Sequence, residues 1–284
     1  MKENKTKVQV MTFEKFHGKQ NVGSSQIRGR WLVDKWNDAE IFKYGVKSDV
    51  IIYQKVCWVE HAKKFDGLKI LDLCDPDHLH WAYRTKEMIE ECDVITVATI
   101  LLYESLKKIT DKPVYLVPDR LNLDKFKDEK EHTGNAKTVV WFGYSQNFPM
   151  LETALKALAK RGLNLVVVSN DGFEPQINYQ DKIEIANYAY EYQTAYQIIQ
   201  EKGDLVINPQ AKTGKWKYKS NNKTLISWAL GLPVATSIED LDSFISEEDR
   251  KEEVKKRKQE LSEYWDIKYS VREYEKIIED NKKN

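Results

Sequence analysis

The stretch KTVVWFGYSQNFPMLETALKALAKRGLNLVVVS, residues 137–169, contains a strand pattern, a helix pattern and a second strand pattern. Its two apolar runs, KTVVWFG and LNLVVVS, are short and almost continuous, which is typical of parallel strands buried on both faces. The leucines and alanines between them recur at helical spacing. This strand–helix–strand order predicts a parallel sheet covered by helices.

The same alternation extends in both directions along the chain. Strand-like runs before this stretch are KVQVMTF, DVIIYQKV, KILDLCD, DVITVAT and PVYLVPD, and those after it are KIEIANY, DLVINPQ and LPVAT. Residues 124–137 are polar without periodicity and predict a linker. We therefore predict an α/β protein of two Rossmann-like domains, residues 1–130 and 137–245, facing each other across a cleft. The helical residues 246–284 are expected to pack back on the N-terminal domain.

Composition limits the class of protein. The 284 residues include 45 acidic and 45 basic side chains, so a globally basic nucleic-acid-binding protein is not indicated, although a local patch remains possible. Cys57, Cys74 and Cys92 lack metal-ligand spacing and are interpreted as buried thiols in a reducing compartment. No run resembles a signal peptide or is long enough to span a bilayer, so we expect a cytoplasmic protein.

Residues that follow strands are the first candidates for a site, because ligands of open parallel sheets bind beyond the carboxyl ends of the strands. After the first strand, Gly23 and Ser24 form a flexible loop that enters a helix, where an anion or an acceptor can bind. The loop lacks the Gly-x-Gly-x-x-Gly spacing of a dinucleotide site. An ordinary loop remains an equal alternative.

A dense group of titratable residues follows the strand KILDLC. Asp75, Asp77 and His78 lie within four residues, and each can accept a proton from a hydroxyl group. We predict that these three residues are catalytic. Two alternatives stay open: a metal site, although no second His/Cys cluster supports it, and a loop in which Asp77 only caps the next helix.

Two strand ends of the second predicted domain carry candidate nucleotide-binding residues. A glycine closes the strand KTVVWFG and permits a ligand to approach the backbone. Aromatic and acidic side chains follow the strand KIEIANY, where they can stack on a nucleobase and hydrogen-bond to it. The candidates at these two strand ends are Gly143, Tyr144, Asn147, Tyr190 and Glu191.

The segment KWKYKSNNKTLISWALGLPVAT, residues 215–236, places lysines and amides before an apolar helix. A helix N-terminus has unpaired N–H groups and a partial positive charge, so added lysines predict a diphosphate site. A solvated basic loop with an Asn or Ser cap is an equal alternative. The candidate ligands at this helix start are Lys219, Ser220, Asn222, Lys223 and Thr224.

Taken in order, several of these segments resemble the nucleotide-sugar glycosyltransferases of the GT-B fold, especially the family 4-like group. The segments that carry the resemblance are GSSQIRG, LCDPDH, CDVITVAT, VYLVPDRLNLDKF, VVWFGYSQNFPML and YKSNNKTLISWALGLPVAT. They span most of residues 8–240. Each motif is weak by itself, whereas the ordered set is moderately specific.

The resemblance implies that the second domain binds a UDP- or GDP-linked sugar and the first domain binds the acceptor, with no metal and no further cofactor. Arg28 matches the arginine of the turn after the first strand and is expected on the acceptor side, while Asp75 matches the acidic strand-end position. Ile226 stands where the family usually has a glutamate on the donor helix. The resemblance gives no oligomeric state.

Three alternatives remain at this point. The first concerns the acceptor, which is a glycan or, as in phage enzymes, a modified base in DNA. The DNA acceptor is favoured by residues 212–223, which interleave lysines with aromatic side chains. A non-catalytic relative that acts as a binding protein is the second alternative, favoured by Ile226. A phosphate-binding enzyme of another doubly wound family is the third, and it predicts a single sheet.

Overall fold

The structure is a computed structural model that describes residues 6–20, 22–80, 82–128, 130–176, 182–209 and 213–282. The chain forms two compact units. Unit 1 comprises Met1–Asn122, Lys217–Ser220 and Trp265–Asn284, and unit 2 comprises Leu123–Trp216 and Asn221–Tyr264.

Unit 1 is built on a parallel sheet of six described strands. Their order is β2-β1-β3-β4-β5-β6, and every pairing is parallel. The central strands are buried over most of their length, as their continuous apolar runs predict. The strands are β1 Val8–Thr12, β2 Ala39–Ile41, β3 Val50–Gln54, β4 Leu68–Leu73, β5 Val94–Val97 and β6 Val114–Leu116.

Unit 2 contains a second parallel sheet, of five described strands in the order β11-β10-β7-β8-β9. The strands are β7 Thr138–Phe142, β8 Asn164–Ser169, β9 Ile185–Ala189, β10 Leu205–Ile207 and β11 Val234–Ala235. The prediction of an α/β protein with two parallel sheets is thus confirmed. The alternative that requires a single sheet is wrong.

Helices connect the strands in both units. The helices that come before β7 in the chain, all in unit 1, are α1 Phe13–Phe16, α2 Gly23–Ser25, α3 Trp31–Lys35, α4 Val59–Lys64, α5 Asp77–His80, α6 Ala82–Glu91 and α7 Ile100–Leu106. The helices that come after β7 are α8 Phe148–Glu152, α9 Leu155–Arg161, α10 Tyr192–Lys202, α11 Asn222–Ala229, α12 Glu247–Tyr264 and α13 Ile267–Asn281. A π-helical segment, Gln26–Arg30, joins α2 to α3. None of the described helices is both long enough and apolar enough to span a membrane.

Both faces of the unit 1 sheet are covered, and strand β3 shows how. Ile51 and Tyr53 pack in one buried cluster, whereas Val50 and Ile52 pack in another. Successive side chains of a strand point to opposite faces, so the two clusters are the cores on the two sides of the sheet. The second of these cores includes Tyr274 of α13, which is 2% exposed.

The C-terminal helices belong to different units. We predicted that the helices of residues 246–284 pack back on the N-terminal domain. Helix α13 belongs to unit 1, where the Leu121 N–H donates to the Trp265 carbonyl and the Ile267 N–H donates to the Leu121 carbonyl. Helix α12 instead belongs to unit 2. The apolar stripe of α13 explains the difference, because α12 is charged on most of its faces.

Candidate functional site

In unit 2, the strand order reverses between β7 and β10, because β8 and β9 lie on one side of β7 whereas β10 and β11 lie on the other. Ligands of open parallel sheets bind beyond the carboxyl ends of the strands at such a switch point. Gly143 directly follows β7, and Asn208 directly follows β10. The topology therefore selects this edge of unit 2 as a candidate site.

The switch point brings Gly143 and Lys223 together. Lys223 Nζ lies 4.8 Å from the centroid of the Trp141 ring, in a cation–π contact. A Cβ built on Gly143 would lie 2.5 Å from that Nζ and 2.9 Å from the Lys223 Cε. Gly143 also has φ = +150°, which side chains rarely adopt. A glycine is thus required here for the lysine to reach the strand end.

Helix α11 begins beside this lysine. Its N-cap residue, Asn221, makes no side-chain capping bond, so its side chain leaves the N–H groups of the first turn available. Thr224 is buried in that turn, and its Oγ1 accepts a hydrogen bond from Asn208 Nδ2 at 3.3 Å. The first turn of α11 is thereby fixed to the end of β10. The N–H groups of a helix start together with the Lys223 ammonium form a site for an anion.

We expect Gly143→Ala to destabilise unit 2 by about 1–3 kcal/mol, because the new Cβ adds backbone strain and must displace Lys223. Urea unfolding followed by tryptophan fluorescence measures this change. Gly172→Ala is the matched control, since a Cβ there meets nothing within 4 Å. A Gly143→Ala variant as stable as the control would contradict the tight contact.

The other predicted residues of unit 2 lie at the same edge of its sheet. Tyr144 is 48% exposed, and Asn147 Oδ1 accepts a hydrogen bond from Trp216 Nε1 at 3.1 Å. Tyr190 follows β9, where burial raises the pKa of its hydroxyl to about 12. Glu191 is the exposed N-cap residue of α10. The site of unit 2 therefore combines a cationic helix start with partly exposed aromatic rings.

Lysines and carboxylates gather at the carboxyl edge of the unit 1 sheet. Lys55, directly after β3, has φ = +55°, an uncommon conformation for a lysine. Its Nζ lies 2.5 Å from Asp75 Oδ2, 3.9 Å from Asp77 Oδ2 and 5.4 Å from the centroid of the Phe13 ring. Lys55 is not among the predicted site residues, although it has the signal that identified others, a charged residue directly after a buried strand.

Asp75 is held as an anion by two lysines. Its second oxygen, Oδ1, accepts a hydrogen bond from Lys219 Nζ at 2.5 Å. Burial disfavours the charged carboxylate, but Lys55 and Lys219 outweigh it and lower the pKa of Asp75 to about 2. A carboxylate with so low a pKa and two ammonium partners is a poor proton acceptor. The structure therefore favours a positioning role for Asp75 over the predicted catalytic one.

Asp77 has the opposite character. It is 9% exposed, and among the residues that the structure describes no donor lies within hydrogen-bonding distance of its Oδ2. Burial is the main cause that raises its pKa to about 6, with a smaller contribution from Asp75, while Lys55 acts against the rise. His78, the next residue in the chain, is also buried, and its Nε2 lies 2.8 Å from Ser105 Oγ. Asp77 is the best-suited general base of the three predicted catalytic residues.

Arg28, predicted on the acceptor side, is a buried structural residue. Its guanidinium donates to Asp72, to Asp119 and to the Val117 carbonyl, all at 2.5–2.8 Å, and only 4% of the residue is exposed. Asp72 lies within β4, so the arginine points into unit 1. It is therefore removed from the set of ligand-binding candidates.

Lys219 and Ser220 were predicted to bind phosphate with Lys223, yet they belong to unit 1. Lys219 binds Asp75, and Ser220 Oγ donates to Asp119 Oδ2 at 2.5 Å. In this structure both side chains are therefore engaged by carboxylates. The predicted group separates into Lys219 and Ser220 in unit 1, and Asn222, Lys223 and Thr224 in unit 2.

Gly23 and Ser24 form the short helix α2 with Ser25. Ser25 Oγ donates to Gln54 Oε1 at 2.9 Å and accepts from the Glu14 N–H at 3.0 Å. Those bonds fix α2 near the ends of β1 and β3, where the strand order of unit 1 reverses. Gly23 and Ser24 are themselves partly exposed at this edge, as an acceptor-side role requires. In the described part of the chain, no group of three His, Cys, Asp or Glu side chains is placed to hold a metal ion.

No protein-family model matches the chain, and no curated protein matches it. Solved structures do match. TarM has a TM-score of 0.62 at 11% identity, over 86% of this chain and 55% of TarM. The glycosyltransferase AviGT4, involved in avilamycin A biosynthesis, has a TM-score of 0.56 at 11% identity over 96% of both chains. The lipopolysaccharide outer core galactosyltransferase WaaB has a TM-score of 0.54 at 11% identity, over 80% of this chain and 79% of WaaB.

These similarities show that the chain has the GT-B fold. At 11% identity they carry the fold and not the activity. The chain also spans only about half the length of TarM, while it spans nearly all of AviGT4.

Proposed function

We propose that this chain is a glycosyltransferase that moves a sugar from a nucleoside-diphosphate sugar to an acceptor hydroxyl. The observation that carries the proposal is the Lys223 ammonium beside Gly143 at the start of α11, at the switch point of unit 2. Two similar structures are named as a glycosyltransferase and a galactosyltransferase, and a TarM mutant from S. aureus was solved in complex with UDP. These names support the proposal.

Unit 2 is assigned to the donor. A diphosphate on the first turn of α11 would accept hydrogen bonds from its N–H groups and a charge-assisted bond from Lys223. When the glycosidic bond breaks, negative charge grows on the leaving diphosphate, and the same groups stabilise it. Because the chain supplies this charge itself, we propose a reaction that needs no metal. Tyr144 and Tyr190 offer aromatic surfaces for the base of a UDP or GDP donor.

Unit 1 is assigned to the acceptor. Asp77, with its raised pKa and an Oδ2 that lacks a hydrogen-bond donor in the described part of the chain, is proposed to accept the proton of the attacking hydroxyl. Asp75 is not assigned this role, because its carboxylate is paired with Lys55 at 2.5 Å. A carboxylate base of this kind is required by an inverting transfer, whereas a retaining transfer needs no such base.

Lys223→Ala tests the donor assignment directly. Removing one charged contact to a phosphate costs about 1.5–3 kcal/mol, so UDP should bind roughly 10–100-fold more weakly. Isothermal titration calorimetry measures the dissociation constant. Lys156→Ala is the control, because Lys156 is an exposed lysine on a different helix of unit 2, α9. Equal UDP affinity in both variants would refute the assigned phosphate site.

Turnover separates the transferase from a binding protein. Ile226 is buried in α11, where the resemblance leads one to expect an acidic residue, and a non-catalytic relative would bind UDP without using its sugars. Release of UDP from UDP-sugars and of GDP from GDP-sugars, measured with glycan acceptors and with DNA containing hydroxymethylated bases, distinguishes these cases. Sugar transfer to only one acceptor class identifies that class as the substrate. UDP binding without turnover on any donor supports the alternative of a non-catalytic binding protein.

A further inference from the structure

We propose that unit 2 has a second anion-binding site, which binds a compact ligand bearing two or more phosphate groups. The site is a pocket of about 470 Å³, and it is distinct from the start of α11. This volume is typical of small-molecule sites. The residues that line it are Lys130, Glu131, His132, Lys251, Val254, Lys255 and Lys258.

The charge of the pocket selects its ligand. Four lysines and one glutamate line it, in a chain whose net charge is zero. Lys251, Lys255 and Lys258 follow each other at spacings of four and three residues, so they project from one face of α12. Lys130 completes the group from the segment before β7. Several ammonium groups around one concave surface match a ligand with several negative charges.

A buried hydrogen-bond network holds the wall of this pocket in place. Arg250 is fully buried, and its guanidinium donates to the Gly134 carbonyl at 2.7 Å and to His132 Nδ1 at 3.2 Å. His132 Nε2 in turn donates to the Gly231 carbonyl at 2.8 Å. His132 and Gly134, which follow Lys130, are thus fixed to α12 before any ligand binds, and such preorganisation lowers the cost of binding.

The lysines are available to a ligand to different degrees. Among the described residues, Lys255 makes no hydrogen bond or ion pair and is exposed. Lys251 is paired with Glu247. Burial lowers the pKa of Lys130, whose Nζ donates to the Glu201 carbonyl at 3.4 Å, so an anion in the pocket would stabilise its charged form.

The pocket is separated from the proposed donor site by the length of α11. Gly231, which follows the C-terminal end of α11, carries the carbonyl that binds His132. Lys223 stands in the first turn of the same helix, and eight residues of α-helix extend about 12 Å. One compact phosphate ligand therefore does not occupy both sites.

The test uses sodium tripolyphosphate as the probe and calorimetry as the readout. The parent protein carries Lys223→Ala, so the result does not depend on the proposed donor site. Adding Lys255→Glu and Lys258→Glu to this parent should weaken binding by about 10–100-fold, through lost attraction and new repulsion. Adding Lys256→Glu is the matched control, because Lys256 is exposed on α12 but does not line the pocket.

The expected result is a clear loss in the double variant and a change of less than about threefold in the control. Equal losses in both would mean that only the general charge of α12 attracts the probe, and the proposal would be overturned. No binding by the parent would overturn it as well. Circular dichroism of each variant checks that α12 remains folded, as the exposed side chains lead us to expect.

Discussion

Replacing Arg28 with alanine should lower the unfolding temperature of unit 1 by roughly 10 °C, which corresponds to about 3–5 kcal/mol. Arg28 Nη2 and Nε bind the two oxygens of Asp72 at 2.5 and 2.8 Å, and Nη1 binds Asp119 Oδ1 at 2.8 Å. Asp72 is 0% exposed and Asp119 is 3% exposed. Without the arginine, two carboxylates remain in the interior with too little positive charge beside them.

The cost comes mainly from the charges that are left behind. Forming a buried ion pair gains little net stability, because desolvating both partners offsets their attraction. Deleting one partner is costly because the other stays desolvated. Thr96 Oγ1 and Tyr274 Oη donate to Asp72 Oδ1 at 2.7 and 3.0 Å, but these neutral groups supply no compensating charge.

Differential scanning calorimetry measures this prediction, and Arg30→Ala is its control. Arg30 lies two residues further along the chain, its side chain is 53% exposed, and it lies 3.5 Å from Glu14. A surface pair of this kind contributes at most about 1 kcal/mol. If Arg28→Ala and Arg30→Ala lowered the unfolding temperature equally, the buried pair would not have the role that its geometry indicates.

The same arginine shows where prediction from sequence ends. The apolar runs predicted the strands well, because a buried parallel strand leaves a direct signal in consecutive residues. Whether an arginine after a strand faces a ligand or the interior depends on which carboxylates the fold places beside it. Asp72 and Asp119 lie 44 and 91 residues away in the sequence, so no local pattern contains that information.

Two lysines that are close in sequence belong to different units. Lys219 and Lys223 are four residues apart and carry the same charge, so their spacing predicts one phosphate site. Lys219 pairs with Asp75 in unit 1, whereas Lys223 lies on Trp141 in unit 2. Likewise, sequence alone could not distinguish Asp75 from Asp77, because the two lysines that lower the pKa of Asp75, Lys55 and Lys219, lie 20 and 144 residues away in the sequence.

Replacing Asp77 with asparagine should reduce the turnover number for sugar transfer by about 10²–10⁴-fold, if Asp77 is the general base. Asparagine has nearly the same shape but cannot accept a proton. UDP affinity should stay unchanged, because the donor is assigned to unit 2. A loss in kcat with an unchanged dissociation constant for UDP therefore separates a role in proton transfer from one in donor binding.

The pH dependence of turnover provides an independent measure. A base must be ionised, and Asp77 has a pKa of about 6. In the unchanged protein, kcat should rise about tenfold per pH unit below pH 6 and level off above pH 7. The residual activity of Asp77→Asn should lack this step. A step near pH 6 that persists in the variant would mean that another group is the base.

Stability against pH gives a readout that needs no substrate. The pKa of Asp77 is raised from 3.8, so the folded state holds a proton that the unfolded state has lost between pH 4 and pH 6. Its contribution to stability is therefore present at low pH and is lost as the pH rises through 6. Asp77→Asn should exceed the unchanged protein in stability by on the order of 2–3 kcal/mol at pH 8, and the difference should vanish near pH 4.

Asp75→Asn should behave in the opposite way, because Lys55 and Lys219 lower the pKa of Asp75 to about 2. Its carboxylate stabilises the fold above pH 4, and this stabilisation is lost as the pH falls through 2. The variant should therefore be less stable than the unchanged protein at pH 7, with a deficit that shrinks toward pH 2. Urea unfolding of both variants from pH 3 to pH 8 compares the two aspartates in one experiment. Parallel pH profiles would contradict the assignment of one aspartate as an ion-paired anion and the other as a proton acceptor.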